Sequence, residues 1–399
     1  MEKFKTYSIA IPLLLFLDGT IMQLIFGKFP INSFRFPVNF TLIFALLIIL
    51  ALVFIFYKTK TIVKFLSSGY AALSSILFFI FHVIIMVIFS QNDHYSGFWG
   101  AIGFHKITET WSYAYSSLYL LLSLGMVSFR RLTPFNTRNI FFYFNHFGLW
   151  IVIAFASLGQ ADKLKLFISV PENDIVWFGT DSDGNFHEID FAIKLNKFNL
   201  AFYSPQLAIL DDNGELLKVK EFHPVDFVKD TEIKYKNFNF KCLDLYEDAI
   251  IFKDSVVFID DLPEKTWLGT VEISNKSRKD TVYLSTATSF HPPKIEKLGK
   301  NLNLILLPSE ASYFGSKIEI YTEKDSKPGK FIIEVNKPLK LGNWTIYQNS
   351  YKKNPGNVNY ISIFSAVYDP WIKIVYVGIV MMLIGAIYLI FSRKKEFKK

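Results

Sequence analysis

Long apolar runs alternate with polar stretches along this chain, and six of them lie near 7–26, 38–57, 68–89, 112–129, 140–158 and 371–391. Each holds roughly 18 residues or more, enough at about 1.5 Å per helical residue to cross a hydrocarbon core of about 30 Å. Between the fifth and sixth runs the pattern changes. In "HEIDFAIKLNKFNLAFY" the apolar positions Ile189, Phe191, Ile193 and Leu195 alternate, and the phase then slips by one to Phe198, Leu200 and Phe202. Period two predicts strands, and the slip predicts a strand pair or a bulge near Asn196 and Lys197. "TEIKYKNFNF", "WLGTVEIS", "DTVYLSTATSF", "SKIEIYTE" and "GKFIIEVN" predict further strands, separated by turn-rich pieces such as "LDDNGEL". The expected fold is a polytopic α-helical membrane protein of about six spans with a large all-β domain, a sandwich or a related fold, between the last two. Its divisions are a bundle at 1–159, a β-rich domain at 160–369, and a final span with a basic tail at 370–399.

Composition agrees. The chain is 51% hydrophobic with a mean hydropathy of +0.28, both above an ordinary soluble domain. Lys3 and Lys5 before the first run resemble the start of a signal peptide, but Asp18 and Gln23 interrupt the run and no small-residue cleavage pattern precedes Pro30. The run is therefore read as a retained span.

Charge sets the expected orientation. Lys3, Lys5, Lys58, Lys60, Lys64, Arg130, Arg131, Arg138 and the Arg393 to Lys399 tail fall on one side of a six-span arrangement, against Lys28, Arg35 and Lys106 on the other. Basic short loops stay cytoplasmic, so both termini are expected inside and the β-domain outside, extracytoplasmic. The same bias accounts for the net charge of +8, placed where it can meet anionic membrane lipid, so no nucleic-acid partner is expected and no nucleic-acid motif is found. Cys242, alone in the chain, cannot form an internal disulfide and is expected as a buried structural thiol in a strand. No GxSxG elbow, P-loop or clustered metal motif occurs in the β-domain, so no catalytic residue is assigned.

The chemistry-bearing residues lie in the spans. Ionisable groups there are rare and mark candidate sites, and Asp18, His82 and His146 stand out. Counted from the cytoplasmic ends, His146 lies roughly 9 Å deep and His82 roughly 21 Å, an offset that argues against both histidines sharing one iron. Asp18 and His82 differ by only roughly 5 Å in depth, so an Asp–His pair is open, as packing glue or proton relay. Around His146, Tyr143 at i−3 and Trp150 at i+4 place flat rings where a porphyrin would sit, although plain helix packing would use them equally well. The loop "SQNDHYSGFWGAIGFHKITETW" adds His94 and His105 among aromatics suited to a membrane interface, where they serve as anchors or as a haem-passage surface.

The closing stretch carries a resemblance. Val335, Asn336, Pro338, Leu339, Gly342, Tyr347, Gln348, Ser350 and Tyr351 form a "VN.PL..G....YQ.SY" segment, followed by Asp369 and Pro370 and a terminal span bearing Gly378 and Gly385. This order resembles the ResB/CcsB family of cytochrome c biogenesis proteins. "YFNHFGLWIV", closing on Gly159 and Asp162, is similar to the family's histidine helix. The two additional N-terminal spans depart from the three spans that many members place before the outer domain.

The resemblance implies a membrane subunit of a system II cytochrome c synthase that assists haem export and presents haem for attachment to apocytochrome c. It implies a CcsA/CcsC-type partner, haem b as a transported group, and His146 as an axial ligand of the haem iron. No two tryptophans adjoin here, so the partner's tryptophan-rich segment is absent and the chain is expected as a non-catalytic or co-catalytic subunit. The alternatives are a transporter subunit, for which no inverted repeat is found, and a membrane-anchored scaffold without haem.

Overall fold

The computed structural model describes residues 2–91, 97–211, 213–217, 222–252, 255–259, 265–276, 279–288, 291–299, 301–323, 327–353 and 359–396. It forms two compact units, 1–164 with 368–399, and 165–367.

The first unit is helical: α1 (Glu2–Phe26), α2 (Val38–Tyr57), α3 (Thr61–Leu66), α4 (Gly69–Ile88), α5 (Phe98–Ala101), α6 (Trp111–Leu132), α7 (Ile140–Leu158) and α8 (Ile372–Glu396). Five of them, α1, α2, α4, α7 with its short extension to Asp162, and α8, are long and apolar enough to cross a membrane. Their outer faces stay apolar, with Ile9, Ile21, Ile48, Val87 and Leu383 all exposed. Such continuous apolar surface is tolerated by lipid and not by water, which makes this a membrane-associated unit.

The fourth expected run forms α6 but is not among those five, and its place in the bundle explains its polarity. α6 packs against α1, α2, α4 and α7, so other helices rather than lipid surround much of it. Ser112, Ser116, Ser123, Gly125 and Ser128 are buried along it. Small residues let backbones approach closely where no hydrophobic force drives helices together, and their hydroxyls find partners. Ser74 of α4 shares a 2.7 Å hydrogen bond with Tyr119, and Ser123 donates to the Leu66 carbonyl at 3.2 Å. Thr110 caps the helix by accepting from the Tyr113 N–H at 3.2 Å.

α8 packs chiefly on α7, and glycines make the contact. A Cβ at Gly148 would lie 2.7 Å from the Gly378 carbonyl oxygen, and one at Gly385 would lie 2.7 Å from that of Phe141. Asp369 starts α8 by accepting from the Trp371 and Ile372 N–H groups at 3.2 and 3.0 Å, which accounts for the Asp-Pro pair at this boundary.

The second unit is β-structure, with no helix among its described residues. Its strands are β1 (Leu164–Pro171), β2 (Ile175–Thr180), β3 (Phe186–Phe202), β4 (Gln206–Leu210), β5 (Val225–Asp226), β6 (Glu232–Tyr235), β7 (Phe238–Glu247), β8 (Ala249–Phe252) and β9 (Ser255–Phe258). The remainder are β10 (Trp267–Ser274), β11 (Lys279–Ser285), β12 (Glu296–Lys297), β13 (Asn303–Leu307), β14 (Ala311–Thr322), β15 (Gly329–Glu334), β16 (Leu339–Leu341), β17 (Trp344–Lys353) and β18 (Tyr360–Tyr368). An eight-stranded sheet runs β15-β14-β3-β2-β1-β18-β17-β16, two four-stranded sheets run β11-β10-β7-β6 and β12-β13-β4-β5, and β8 pairs with β9. The phase slip in β3 is a bulge within one long strand rather than a strand pair: Lys197 faces Lys317 and Leu195 faces Ile318, so Asn196 has no opposite number.

The eight-stranded sheet curls on itself. Ser316 on β14 donates to Gln348 on β17 at 2.7 Å and meets Ser362 on β18 at 2.8 Å, although β3, β2, β1 and β18 separate β14 from β17 in the sheet. These three buried polar side chains satisfy one another inside a core of Ile193, Leu195, Ile318, Ile346 and Phe364. Gln348→Leu therefore destabilises this unit by about 1–3 kcal/mol, because it strips partners from two buried hydroxyls. Thermal unfolding followed by circular dichroism reads that loss.

The other core lies among the four-stranded sheets, around Leu207, Ile209, Phe240, Val271 and Leu304, and it contains Cys242. Burial pushes this thiol up to about 11. At neutral pH it stays protonated and inert, so a maleimide leaves Cys242 unmodified in the folded protein and labels it after denaturation.

Candidate functional site

α7 presents His146 on its first two turns. The ring nitrogen Nδ1 lies 3.1 Å from the Phe142 carbonyl oxygen. A carbonyl only accepts, so Nδ1 carries the proton and Nε2 of the neutral ring holds the lone pair. Among the described residues Nε2 has no hydrogen-bond partner, and the ring is half-buried. Phe142 stacks on the imidazole at 3.7 Å and 26°, and the Arg131 guanidinium stands 5.1 Å from the Phe142 ring centre. A backbone acceptor on one nitrogen that orients the other is the outer-shell pattern of a metal-binding histidine.

Tyr143 and Trp150 face α6 instead of an open surface. Tyr143 donates its hydroxyl to the Arg131 carbonyl at 2.9 Å, and Trp150 donates Nε1–H to the Leu121 carbonyl at 3.2 Å. Both are buried, so they brace the helix that carries His146. Asn145 lies against Gly385 of α8, where its side chain and backbone occupy the space a Cβ would need.

His82 has the opposite character. It is fully buried, with Nδ1 2.9 Å from the Phe78 carbonyl and Nε2 2.8 Å from Ser112 Oγ. The carbonyl again fixes the proton on Nδ1, so Ser112 donates to Nε2 and consumes its lone pair. Phe16, Phe78, Phe81 and Tyr113 surround the ring. The open Asp–His pairing is corrected: Asp18 sits on an exposed face of α1 and accepts from the Tyr115 hydroxyl, while His82 is satisfied by α4 and α6.

Of the loop histidines, His94 lies outside the described residues and His105 is half-buried in a 3-10 turn. Around it the loop is well packed. Phe89, Trp99 and Phe104 pack tilted or edge-on with centroids 5.3 to 5.5 Å apart, and Gln91 donates to the Phe104 carbonyl at 3.0 Å while accepting from the Ile107 N–H at 3.1 Å. No group of three or more His, Cys, Asp or Glu side chains that could hold a metal ion occurs among the described residues.

Residue-by-residue reading missed the role of Asp162. Its carboxylate accepts from Asn39 Nδ2 at 2.7 Å, the Phe36 N–H at 2.9 Å and Trp371 Nε1 at 2.6 Å, tying the start of α2, the end of α7 and the start of α8 together. Trp371 also packs on Gly159, where a Cβ would lie 2.9 Å from the indole. The only sequence signal was the Gly and Asp pair closing the histidine helix.

A helical unit fit for a membrane, a strand-rich unit and one oriented histidine define the class: a membrane-associated protein with a β-domain inserted before its last helix. Residues 300–365 match the model of the ResB-like family, which bears out the resemblance to ResB/CcsB proteins and implies a general role in cytochrome c biogenesis. A search of curated proteins finds no match. The matched segment spans β13 to β18 and includes the Val335 to Tyr351 motif, whereas His146 and the Gly378 and Gly385 helix lie beyond it. Within it, Asn336 and Gly342 take positive φ of 62° and 61° at the turns flanking β16, conformations that Asn and Gly tolerate best. Gln348 belongs to the polar cluster inside the curled sheet, and Tyr351 packs with Phe198, Phe314 and Tyr360.

Proposed function

We propose that the chain is a membrane subunit of a system II cytochrome c synthase, which assists haem export and presents haem for covalent attachment to apocytochrome c beside a CcsA/CcsC-type partner. The observation that carries this reading is the contrast between two histidines: His146 keeps its Nε2 lone pair without a partner, and His82 spends it on Ser112. His146 thus fits one axial position of a haem iron, with haem as cargo rather than a resident cofactor. His146 Nε2 would hold the iron of the cargo, and the iron would supply a Lewis acid for that lone pair.

In this reading, Phe142 gives the imidazole a flat support and Arg131 offers a cation to a carboxylate of the cargo. His82, sealed inside the bundle with both nitrogens used, would not reach the same iron, and a second ligand would have to be supplied by the partner. Attachment adds a cytochrome thiol across a haem vinyl group, a step that asks for no nucleophile from this chain. Cys242, buried and protonated, takes no part in it. The basic short loops support this reading, in which both termini are cytoplasmic and the β-domain lies across a bacterial inner membrane, where apocytochrome is met.

Deletion of the gene abolishes covalently bound haem in c-type cytochromes on a haem-stained denaturing gel and leaves b-type haem in place. Wild type restores the signal, whereas His146→Ala does not. Covalent haem that persists in the deletion strain contradicts the proposal.

A further inference from the structure

The β-rich unit holds a cleft of about 660 Å³, inside the size range of small-ligand sites. Its walls come from the end of β3, the end of β17 and the start of β18, with Pro308 and Ser309 closing one side. Phe202, Tyr351 and Tyr360 give it aromatic surface. Phe198 packs on Tyr351 and Tyr360 at 5.1 and 5.3 Å, and the two tyrosine rings meet at 6.1 Å, so both are braced.

The polar groups divide into those already used, which are Lys265, Asp248 and Lys353, and several that are not. Lys265, also in the lining, bridges Glu247 at 2.6 Å and Asp248 at 3.0 Å and stands over the rings of Trp267 and Phe202 at 5.3 and 5.9 Å. Its charge is neutralised in place, which makes it part of the floor. Lys352 is exposed and has no ion-pair partner among the described residues. The Ser309 hydroxyl is buried without a hydrogen-bond partner, and neither the Tyr351 nor the Tyr360 hydroxyl has one among the described residues. A buried hydroxyl with no acceptor is costly, which marks Ser309 as a place where a ligand oxygen is favoured, and the half-buried tyrosine hydroxyls stand beside it.

We propose that this cleft binds an aromatic carboxylate. Flat apolar surface suits an aromatic body, and one free ammonium beside three neutral O–H donors matches a single negative charge spread over two oxygens better than a dianionic phosphate. The inference concerns the β-rich unit alone and stands whether or not His146 binds haem.

The test uses the full chain in lipid nanodiscs, irradiated with 4-benzoylbenzoate and mapped by peptide mass spectrometry, with the neutral 4-benzoylbenzamide in parallel. Expected is saturable labelling at cleft residues that falls about tenfold for the amide and about tenfold for Lys352→Glu, the weight of one charge-assisted contact. Tyr360→Phe, which removes a single hydroxyl, lowers labelling about threefold. In each variant an unreactive Cys242 reports an intact fold. Equal labelling by acid and amide, labelling undiminished in Lys352→Glu, or label found outside the cleft overturns the proposal.

Discussion

Asp162→Ala destabilises the helical unit by about 2–4 kcal/mol, seen as a lower Tm of the detergent-purified protein. Three donors converge on this carboxylate, and two of them, the fully buried Asn39 amide and the Trp371 indole, lose their carboxylate partner when it goes. Hydrogen bonds to a charged group contribute about 1.5–3 kcal/mol each, and the total stays below their sum because the three share one acceptor. Asp162→Asn retains an acceptor oxygen but sets its own NH₂ against donors, so it recovers about half of the loss. An unchanged Tm in Asp162→Ala contradicts the clamp.

Gly148→Leu separates α8 from α7. At this crossing each backbone sits in the other's side-chain space, with the Gly378 carbonyl 2.7 Å and Met382 2.9 Å from any added Cβ. Neither a carbonyl in a helix nor a methionine backbone nitrogen can step aside, and overpacking of this kind costs about 1–3 kcal/mol. Phe141 and Tyr388 stack across the same interface at 3.5 Å. Cysteines placed at those two positions, in a Cys242→Ala background, crosslink efficiently on oxidation in the parent and at least about tenfold less in Gly148→Leu, the equivalent of about 1.4 kcal/mol. Equal crosslinking in both contradicts the packing account.

Much of the fold was legible because its elements obey local rules. α2 and α7 coincide with the apolar runs at 38–57 and 140–158, and β10 coincides with "WLGTVEIS". The bulge at Asn196 showed as a one-residue slip in alternation, since a bulge inserts one residue and flips the faces beyond it. α6 was legible as a helix, while the reason for its serines was not, because periodicity does not show which helix the others surround.

The candidate site was legible only in outline. His82 and His146 look alike in sequence, each an isolated imidazole among aromatics with a carbonyl one turn back. What separates them is Ser112, 30 residues from His82 and brought to its Nε2 by the packing of α4 on α6. Asp162 shows the same limit, since its donors lie 123, 126 and 209 residues away. Tyr143 and Trp150 were picked out by helical spacing around His146, yet spacing alone could not show that their polar atoms reach the α6 backbone.

The central claim rests on which imidazole nitrogen is open, and the absorption spectrum with haem content of the detergent-purified complex, co-expressed with its haem-handling partner, tests it most directly. Wild type, His146→Ala and His82→Ala are compared at equal assembly. The account predicts that haem absorption is lost in His146→Ala and kept in His82→Ala, which changes packing and stability instead. Equal haem in all three, or loss confined to His82→Ala, contradicts it.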